Sequence, residues 1–353
     1  MEFIMPYALC NKIKNMTPYE PINGDYPIRL DANESFIAPN EMLQQKIQDA
    51  VAQVSFNRYP DALASELCKA FSLYYRIGAE YVTAGNGSDE LISVIIGSLL
   101  QKGDTLITLS PDFSMYRFYG EMAEMNMVTL QKGESLEVNV DDILKAAKDH
   151  NAKAIIFSTP CNPTSLVTDK NKVLQLIKST DMLVVVDEAY MDFSNQSILQ
   201  EAASFDNVIV LKTCSKAFSS AIRLGFAVAN KRITNALRAA KSPYNVNSVT
   251  QAIGAVILNE ADYNRDCIKQ VLQNRTELHY ALTELASKKA DIIKVYKSET
   301  NFIFVELQNA KTTHTALLNK GIVVRCFDHH LRITVGSKDE NKILIAALDE
   351  LLK

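Results

Sequence analysis

At 353 residues with 47% hydrophobic side chains, the chain can bury one large core and a smaller second one, so two domains are expected. A net charge of −4 without any Lys/Arg-rich run excludes the electrostatic signature of nucleic-acid or anionic-membrane binding, and a small molecule is the expected partner. No apolar run reaches the ~18 residues that span a bilayer, the first residues lack the features of a signal peptide, and the six cysteines show no C-x-x-C pair, so a cytoplasmic protein with neither a disulfide framework nor a metal site is expected.

Taken in order, residues 1–40 carry Pro6, Pro18, Pro21, Pro27 and Pro39, which break any long helix and predict an arm. Inside it, Ile28-Arg-Leu-Asp-Ala-Asn-Glu34 alternates like a short strand ending in a polar pair. Met42, Leu43, Ile47, Ala50, Val51 and Val54 have helical spacing, Asn57-Arg-Tyr-Pro-Asp61 reads as a turn, and Ser65 to Tyr75 as a second amphipathic helix. From Tyr81 on, short β-branched runs alternate with helical periods, which is an α/β pattern. The predicted strands are 81–84, 105–109, 126–131, 153–157, 182–186, 208–211 and 224–229, seven strands of one wide, mostly parallel sheet. Ligands bind such sheets at the carboxyl ends of the strands, and the polar clusters of this chain fall there.

The first cluster, Gly85-Asn-Gly-Ser-Asp-Glu90, follows a strand and opens the apolar helix predicted over 91–100. Its glycines and the helix N-terminus suit an anion such as phosphate, or simply a tight capped turn; it is neither a dinucleotide fingerprint nor a Walker loop. Next, Ser110-Pro-Asp-Phe-Ser-Met-Tyr116 offers Phe113 as a ring to stack on a flat ligand or as core. Asn162, in Thr159-Pro-Cys-Asn-Pro-Thr164, sits in a double-proline turn with its amide available to an oxygen. Val184-Val-Val-Asp-Glu-Ala-Tyr190 ends an apolar strand in Asp187, a carboxylate that must meet a cation or cap a helix, with Tyr190 three residues on. Leu211-Lys-Thr-Cys-Ser-Lys-Ala-Phe-Ser-Ser-Ala-Ile-Arg-Leu-Gly-Phe226 then places Lys216 between Ser215 and Arg223 on a loop held by two strands. A lysine there can condense with a carbonyl while the hydroxyl and guanidinium hold a phosphate, or it is an ordinary charged loop. Cys161 and Cys214 read as small buried fillers.

Beyond Asn230 the chain is mostly helical, with a long helix predicted over 262–287. A smaller α/β lobe follows, with strands at 292–296, 301–305, 322–325 and 331–335 and helices at 312–319 and 338–352. Arg325 and Arg332 each stand in an apolar strand and need an anion, either a structural carboxylate or a substrate. His329 and His330 read as a solvated turn.

The order of these clusters resembles the class I/II aminotransferases of fold type I, over nearly the whole chain from Ile28. The resemblance implies pyridoxal 5'-phosphate as cofactor, with Lys216 as its covalent anchor and catalytic base, Asp187 on the ring nitrogen, and Asn162 and Tyr190 on the ring oxygen. It further implies Phe113 on the ring face, and Gly87, Ser88, Asp89, Ser215 and Arg223 around the phosphate. Thr17-Pro-Tyr-Glu-Pro21, Leu30-Asp-Ala-Asn-Glu-Ser-Phe36, Asn57-Arg-Tyr-Pro-Asp61 and Leu331-Arg-Ile-Thr-Val-Gly336 are similar to the branch that acts on histidinol phosphate with glutamate and 2-oxoglutarate. That branch implies Tyr19, Asn33, Arg325 and Arg332 as substrate contacts. It also implies a homodimer in which Tyr59 reaches the partner's cofactor phosphate. Expected divisions are an arm at 1–40 packing on the small domain and the partner subunit, a cofactor domain at 41–258 and a small domain at 259–353. Ser165, Phe113 and Ile222 depart from the usual Gly, Tyr and Gly-Leu of the family. An aromatic aminotransferase of broader specificity and a threonine-phosphate decarboxylase are the alternatives. A nicotinamide dehydrogenase is disfavoured by the missing glycine fingerprint, and a transcription regulator by the shortness of the arm.

Overall fold

The computed structural model describes residues 7–14, 16–18 and 22–353. Its strands are β1 (Ile28–Leu30), β2 (Val82–Gly85), β3 (Thr105–Ser110), β4 (Asn126–Gln131), β5 (Ala154–Ser158), β6 (Leu183–Asp187), β7 (Val208–Thr213), β8 (Gly225–Val228), β9 (Ile292–Val295), β10 (Phe302–Leu307), β11 (Ile322–Phe327) and β12 (His330–Thr334). β2 to β8 form one seven-stranded sheet, as expected, and its order is β2-β8-β7-β6-β5-β3-β4. It is parallel from β4 to β7, while β8 runs antiparallel to both of its neighbours, β7 and β2.

Strands covered on both faces must be apolar at every position, which is why β6 and β7 read as uninterrupted Val, Ile and Leu runs. The two-residue period sorts them. Val184, Val186, Val208 and Val210 enter the core on one face, and Val185, Ile209 and Leu211 enter the core under helix Gly87–Leu99 on the other. Each such side chain contributes about 1.5–3 kcal/mol on burial. Register then aligns the functional ends, because Ser158 of β5 lies opposite Asp187 of β6, and Asp187 opposite Leu211 of β7.

The second sheet has the order β1-β11-β12-β10-β9. β1 comes from the N-terminal segment and pairs parallel with β11, Leu30 opposite Val324, with Ile28 and Leu30 buried in the small core. Helices Ala261–Ala286 and Lys338–Leu351 cover this sheet, and the latter is held at its start by a reciprocal Ser337/Glu340 capping box.

Two expectations need correction. The helix after β2 begins at Gly87, four residues before the expected 91, so Gly87, Ser88 and Asp89 form its first turn. Glu90 drives this early start by accepting the Asn86 N–H at 2.6 Å. His330 belongs to β12, not to a solvated turn: its ring stacks on Phe304, with centroids 4.4 Å apart.

Candidate active site

The carboxyl ends of β5, β6 and β7 meet the N-terminus of helix Gly87–Leu99 on one side and the small sheet on the other. Helices starting at Glu41, Val140, Lys170, Lys231, Ser248 and Lys338 are capped by the side chains of Asn40, Asn139, Asp169, Asn230, Asn247 and Ser337. The helix at Gly87, like those at Ser65, Met115, Ala261 and Ala310, has no side-chain cap. Of these it is the one that starts beside Arg223 and Ser215, where its first N–H groups can meet an anion. A Cβ on Gly225 of β8 would lie 2.4 Å from the Gly87 carbonyl carbon and 2.5 Å from the Ser88 nitrogen, so only glycine lets this turn sit against β8. Gly87 itself has φ +76°.

Arg223 closes this end. Its Nη1 donates to Ser215 Oγ at 3.3 Å, and its Nη2 lies 3.6 Å from the Asp89 carboxylate, at an exposed edge. Ser215, Arg223, Gly87 and Ser88 therefore converge, whereas the Asp89 carboxylate engages the arginine. Lys216 follows Ser215 in the turn after β7. Its Nζ donates to the Ala32 carbonyl at 3.2 Å and lies 6.0 Å from the centre of the Tyr190 ring.

Asp187 is buried at the end of β6. Its Oδ1 accepts the Ala189 N–H at 3.0 Å and its Oδ2 accepts the Tyr116 hydroxyl at 2.7 Å. Burial pushes the Asp187 pKa up to about 6, and the Tyr116 hydrogen bond works against that rise. Phe113 meets Tyr116 edge-on with centroids 5.5 Å apart. The loops carrying Phe113 and Asn162 are tied from below: Asp112 Oδ2 pairs with buried Lys132 at 3.2 Å, and Asp112 also accepts the Ser158 hydroxyl. Ser158 Oγ in turn accepts the Asn162 N–H at 3.2 Å. Cys161 is buried, and its sulfur accepts from Lys132 at 3.1 Å, so it is more than filler.

The small lobe closes the site through three consecutive residues. Asp31 gives its carbonyl to Arg332 Nη2, Ala32 gives its carbonyl to Lys216, and Asn33 donates its amide to the Tyr190 hydroxyl at 2.8 Å. Arg332 Nη1 donates to Asn162 Oδ1 at 2.6 Å, which leaves the Asn162 NH₂ to point elsewhere, and the guanidinium stacks over Phe302 and Phe327. Arg325 is the cross-strand partner of Arg332. Ser165, at φ 62° where the family has glycine, is held by hydrogen bonds from its hydroxyl to Thr164 and Lys297 carbonyls.

Of the residues singled out from sequence, Lys216, Tyr190, Asn162, Asn33 and Arg332 are joined by this network, whereas the Asp187 carboxylate is held separately by Tyr116 and the Ala189 N–H, with Phe113 against Tyr116. Tyr59 stands apart, 81% exposed and stacked on Tyr244 at 4.7 Å. Tyr19 lies outside the described residues. Sequence reading missed Tyr116, although it lies in the Ser110–Tyr116 stretch one helical turn from Phe113. It also missed Thr334 and the carbonyls of Asp31 and Ala32; backbone groups leave no sequence signal.

The donor set fits a phosphorylated aromatic aldehyde: an uncapped helix start and an arginine for the phosphate, a primary amine for the carbonyl, and a buried carboxylate for a cationic ring nitrogen. The sequence pattern described as "Aminotransferase class I and II" matches residues 27–348. The histidinol-phosphate aminotransferase of Clostridium kluyveri is 40% identical over 348 residues, 97% of this chain and 97% of its own. That of Pyrococcus furiosus is 33% identical over 347 residues, again 97% of each chain. In fold, the chain is similar to the crystal structure of histidinol-phosphate aminotransferase from Sinorhizobium meliloti in complex with pyridoxal-5'-phosphate, with a TM-score of 0.83 at 20% identity over 92% of this chain and 91% of that one. An aspartate aminotransferase double mutant from Thermus thermophilus gives 0.83 at 17% identity over 98% and 100%.

Proposed function

The chain belongs to the class I and II aminotransferases, and on that premise we propose that it moves an amino group between the pairs glutamate/2-oxoglutarate and histidinol phosphate/imidazole-acetol phosphate, with pyridoxal 5'-phosphate, in histidine biosynthesis. The observation that carries this reading is that Lys216, Tyr190 and Asn162 are tied through Asp31-Ala32-Asn33 to Arg332, whose cross-strand partner is Arg325, while Asp187 ends the strand β6 that precedes Tyr190. The named relatives at 33–40% identity support the same substrate.

When bound, the cofactor ring takes up the electron pair released at the donor's Cα and carries the amino group from donor to acceptor. Ser215, Arg223 and the N–H groups of Gly87 and Ser88 hold the phosphate. Asp187 keeps the ring nitrogen protonated; its buried carboxylate gains far more from that cation than it would in water. Asn162 Nδ2 and the Tyr190 hydroxyl donate to the ring oxygen, and Phe113 covers one face. Lys216 would hold the cofactor's carbonyl and would move the proton at the donor's Cα. Arg332 and Arg325 take the phosphate of histidinol phosphate or the carboxylates of glutamate.

The same reading assigns a cytoplasmic homodimer. All described cysteines are free, which suits a reducing compartment. Phe56, Tyr59 and Leu63 expose large apolar surface on one loop, a composition suited to a second copy. No helix among the described residues is long and apolar enough to cross a membrane.

The test is a comparison of kcat/KM with glutamate as donor and either imidazole-acetol phosphate or phenylpyruvate as acceptor, together with CO₂ release from O-phosphothreonine. The phosphorylated acceptor should lead. Equal values with phenylpyruvate would favour a broad aromatic aminotransferase, and CO₂ release would favour the decarboxylase.

A further inference from the structure

We infer that Asn33 acts as a positioning residue that fixes which way the Tyr190 hydroxyl points its hydrogen, and that Thr334 in turn fixes Asn33. The inference rests on pyridoxal phosphate being bound at Lys216.

Asn33 is buried with φ 54° and is hydrogen-bonded at every polar group. Its N–H donates to Thr334 Oγ1 at 3.0 Å, its carbonyl accepts from Asn301 Nδ2 at 2.9 Å, its Oδ1 accepts from Thr334 Oγ1 at 3.2 Å, and its Nδ2 donates to Tyr190 OH at 2.8 Å. These bonds decide the orientation of the amide. In the arrangement observed, the Thr334 hydroxyl accepts one hydrogen and gives one. With the amide reversed it would face two donors, and its own hydrogen would lose the Asn33 Oδ1 acceptor. Asn33 thus presents a donor, not an acceptor, to Tyr190.

A phenol oxygen that already accepts from Asn33 keeps its own hydrogen for another acceptor. In the loaded protein that acceptor is the ring oxygen of the cofactor. A donor there stabilises the negative charge left when the link between Lys216 and the cofactor loses its proton, and so holds down the pKa of that link. Asn33 would therefore serve the cofactor's protonation state without touching substrate, a role different from the substrate contact implied by family resemblance. Because Asn33 follows β1, and Thr334 ends β12, the small sheet sets this hydrogen-bond direction.

The experiment is a pH titration of the absorbance of the bound cofactor in the wild type and in Asn33→Asp, Thr334→Val, Tyr190→Phe and the Asn33→Asp/Tyr190→Phe double variant, with cofactor affinity measured alongside. Aspartate keeps the shape and tolerates the left-handed backbone, but its carboxylate accepts the Tyr190 hydrogen and reverses the bond. Asn33→Asp should raise the pKa of the absorbance change by about one unit, the scale of losing one hydrogen bond to a charged form. Thr334→Val should shift it in the same direction by less, and it carries the test should Asn33→Asp fold poorly. In the Tyr190→Phe background, the Asn33→Asp shift should fall to the part that the added charge alone gives. A wild type with no cofactor band would overturn the cofactor reading and this inference with it. A normal band whose pKa ignores both single variants, or an Asn33→Asp shift undiminished without the Tyr190 hydroxyl, would overturn the inference alone.

Discussion

The hydroxyl of Tyr116 and Oδ2 of Asp187 lie 2.7 Å apart in a fully buried contact between the helix after β3 and the end of β6. The phenol donates, so it favours the ionised carboxylate against the burial that lifts the Asp187 pKa to about 6. Tyr116→Phe should therefore raise the Asp187 pKa of the cofactor-free protein by roughly one unit, read by carboxyl NMR titration, and the loss of the donor should also weaken activity by no more than about tenfold. An unshifted carboxyl titration would show that Tyr116 only packs.

Arg325 and Arg332 face each other across β11 and β12. Two guanidiniums on one face of the sheet can both meet a dianion through charge-assisted hydrogen bonds. Arg332→Ala should weaken both glutamate and histidinol phosphate. Arg325→Ala should weaken histidinol phosphate and the distal carboxylate of glutamate but spare phenylalanine, each loss being about 2–4 kcal/mol in kcat/KM. Kinetics with the three donors check this.

Tyr59 is exposed and stacked on Tyr244, and we propose that in a homodimer it reaches the phosphate of the partner subunit's cofactor. Mixing Lys216→Ala with Tyr59→Ala should restore activity, since the site with an intact lysine then receives an intact tyrosine from the other chain. Mixtures no more active than the sum of the two variants would place Tyr59 outside the site.

Glu188 lies buried beside Asp187 on the opposite face, accepting from Ser197 Oγ at 2.6 Å and the Ile198 N–H at 2.7 Å. Burial lifts its pKa from 4.5 to about 7. The folded state then holds a proton that the unfolded state has lost, so this group's contribution to stability falls as pH rises from about 4.5 to 7. The stability of Glu188→Gln relative to the wild type should accordingly rise between pH 5 and pH 8, by about 2 kcal/mol on the 1.4 kcal/mol-per-unit scale. Urea unfolding at the two pH values checks the sign.

How legible all this was depends on how local each signal is. β6 declared itself because Val184-Val-Val is apolar on both faces and Asp187 breaks the run where a buried charge needs a reason. Lys216 was visible through neighbours within the same loop. Tyr116 could not be assigned, since its hydrogen bond reaches a residue 71 positions away and helical spacing equally suits a core aromatic. Asn33 could be singled out but not given its role, because that role depends on Thr334, which the pairing of β1 with β11 and of β11 with β12 brings near, and on Tyr190, which follows β6 of the other sheet.

The most direct test of the account is reduction of the purified, cofactor-loaded protein with borohydride, followed by peptide mapping. A stable pyridoxyl label on Lys216, in the peptide that also contains Ser215, is the predicted result, with Lys216→Ala left unlabelled and inactive. A label on any other lysine, or a Lys216→Ala protein that still transfers amino groups at the wild-type rate, would contradict it.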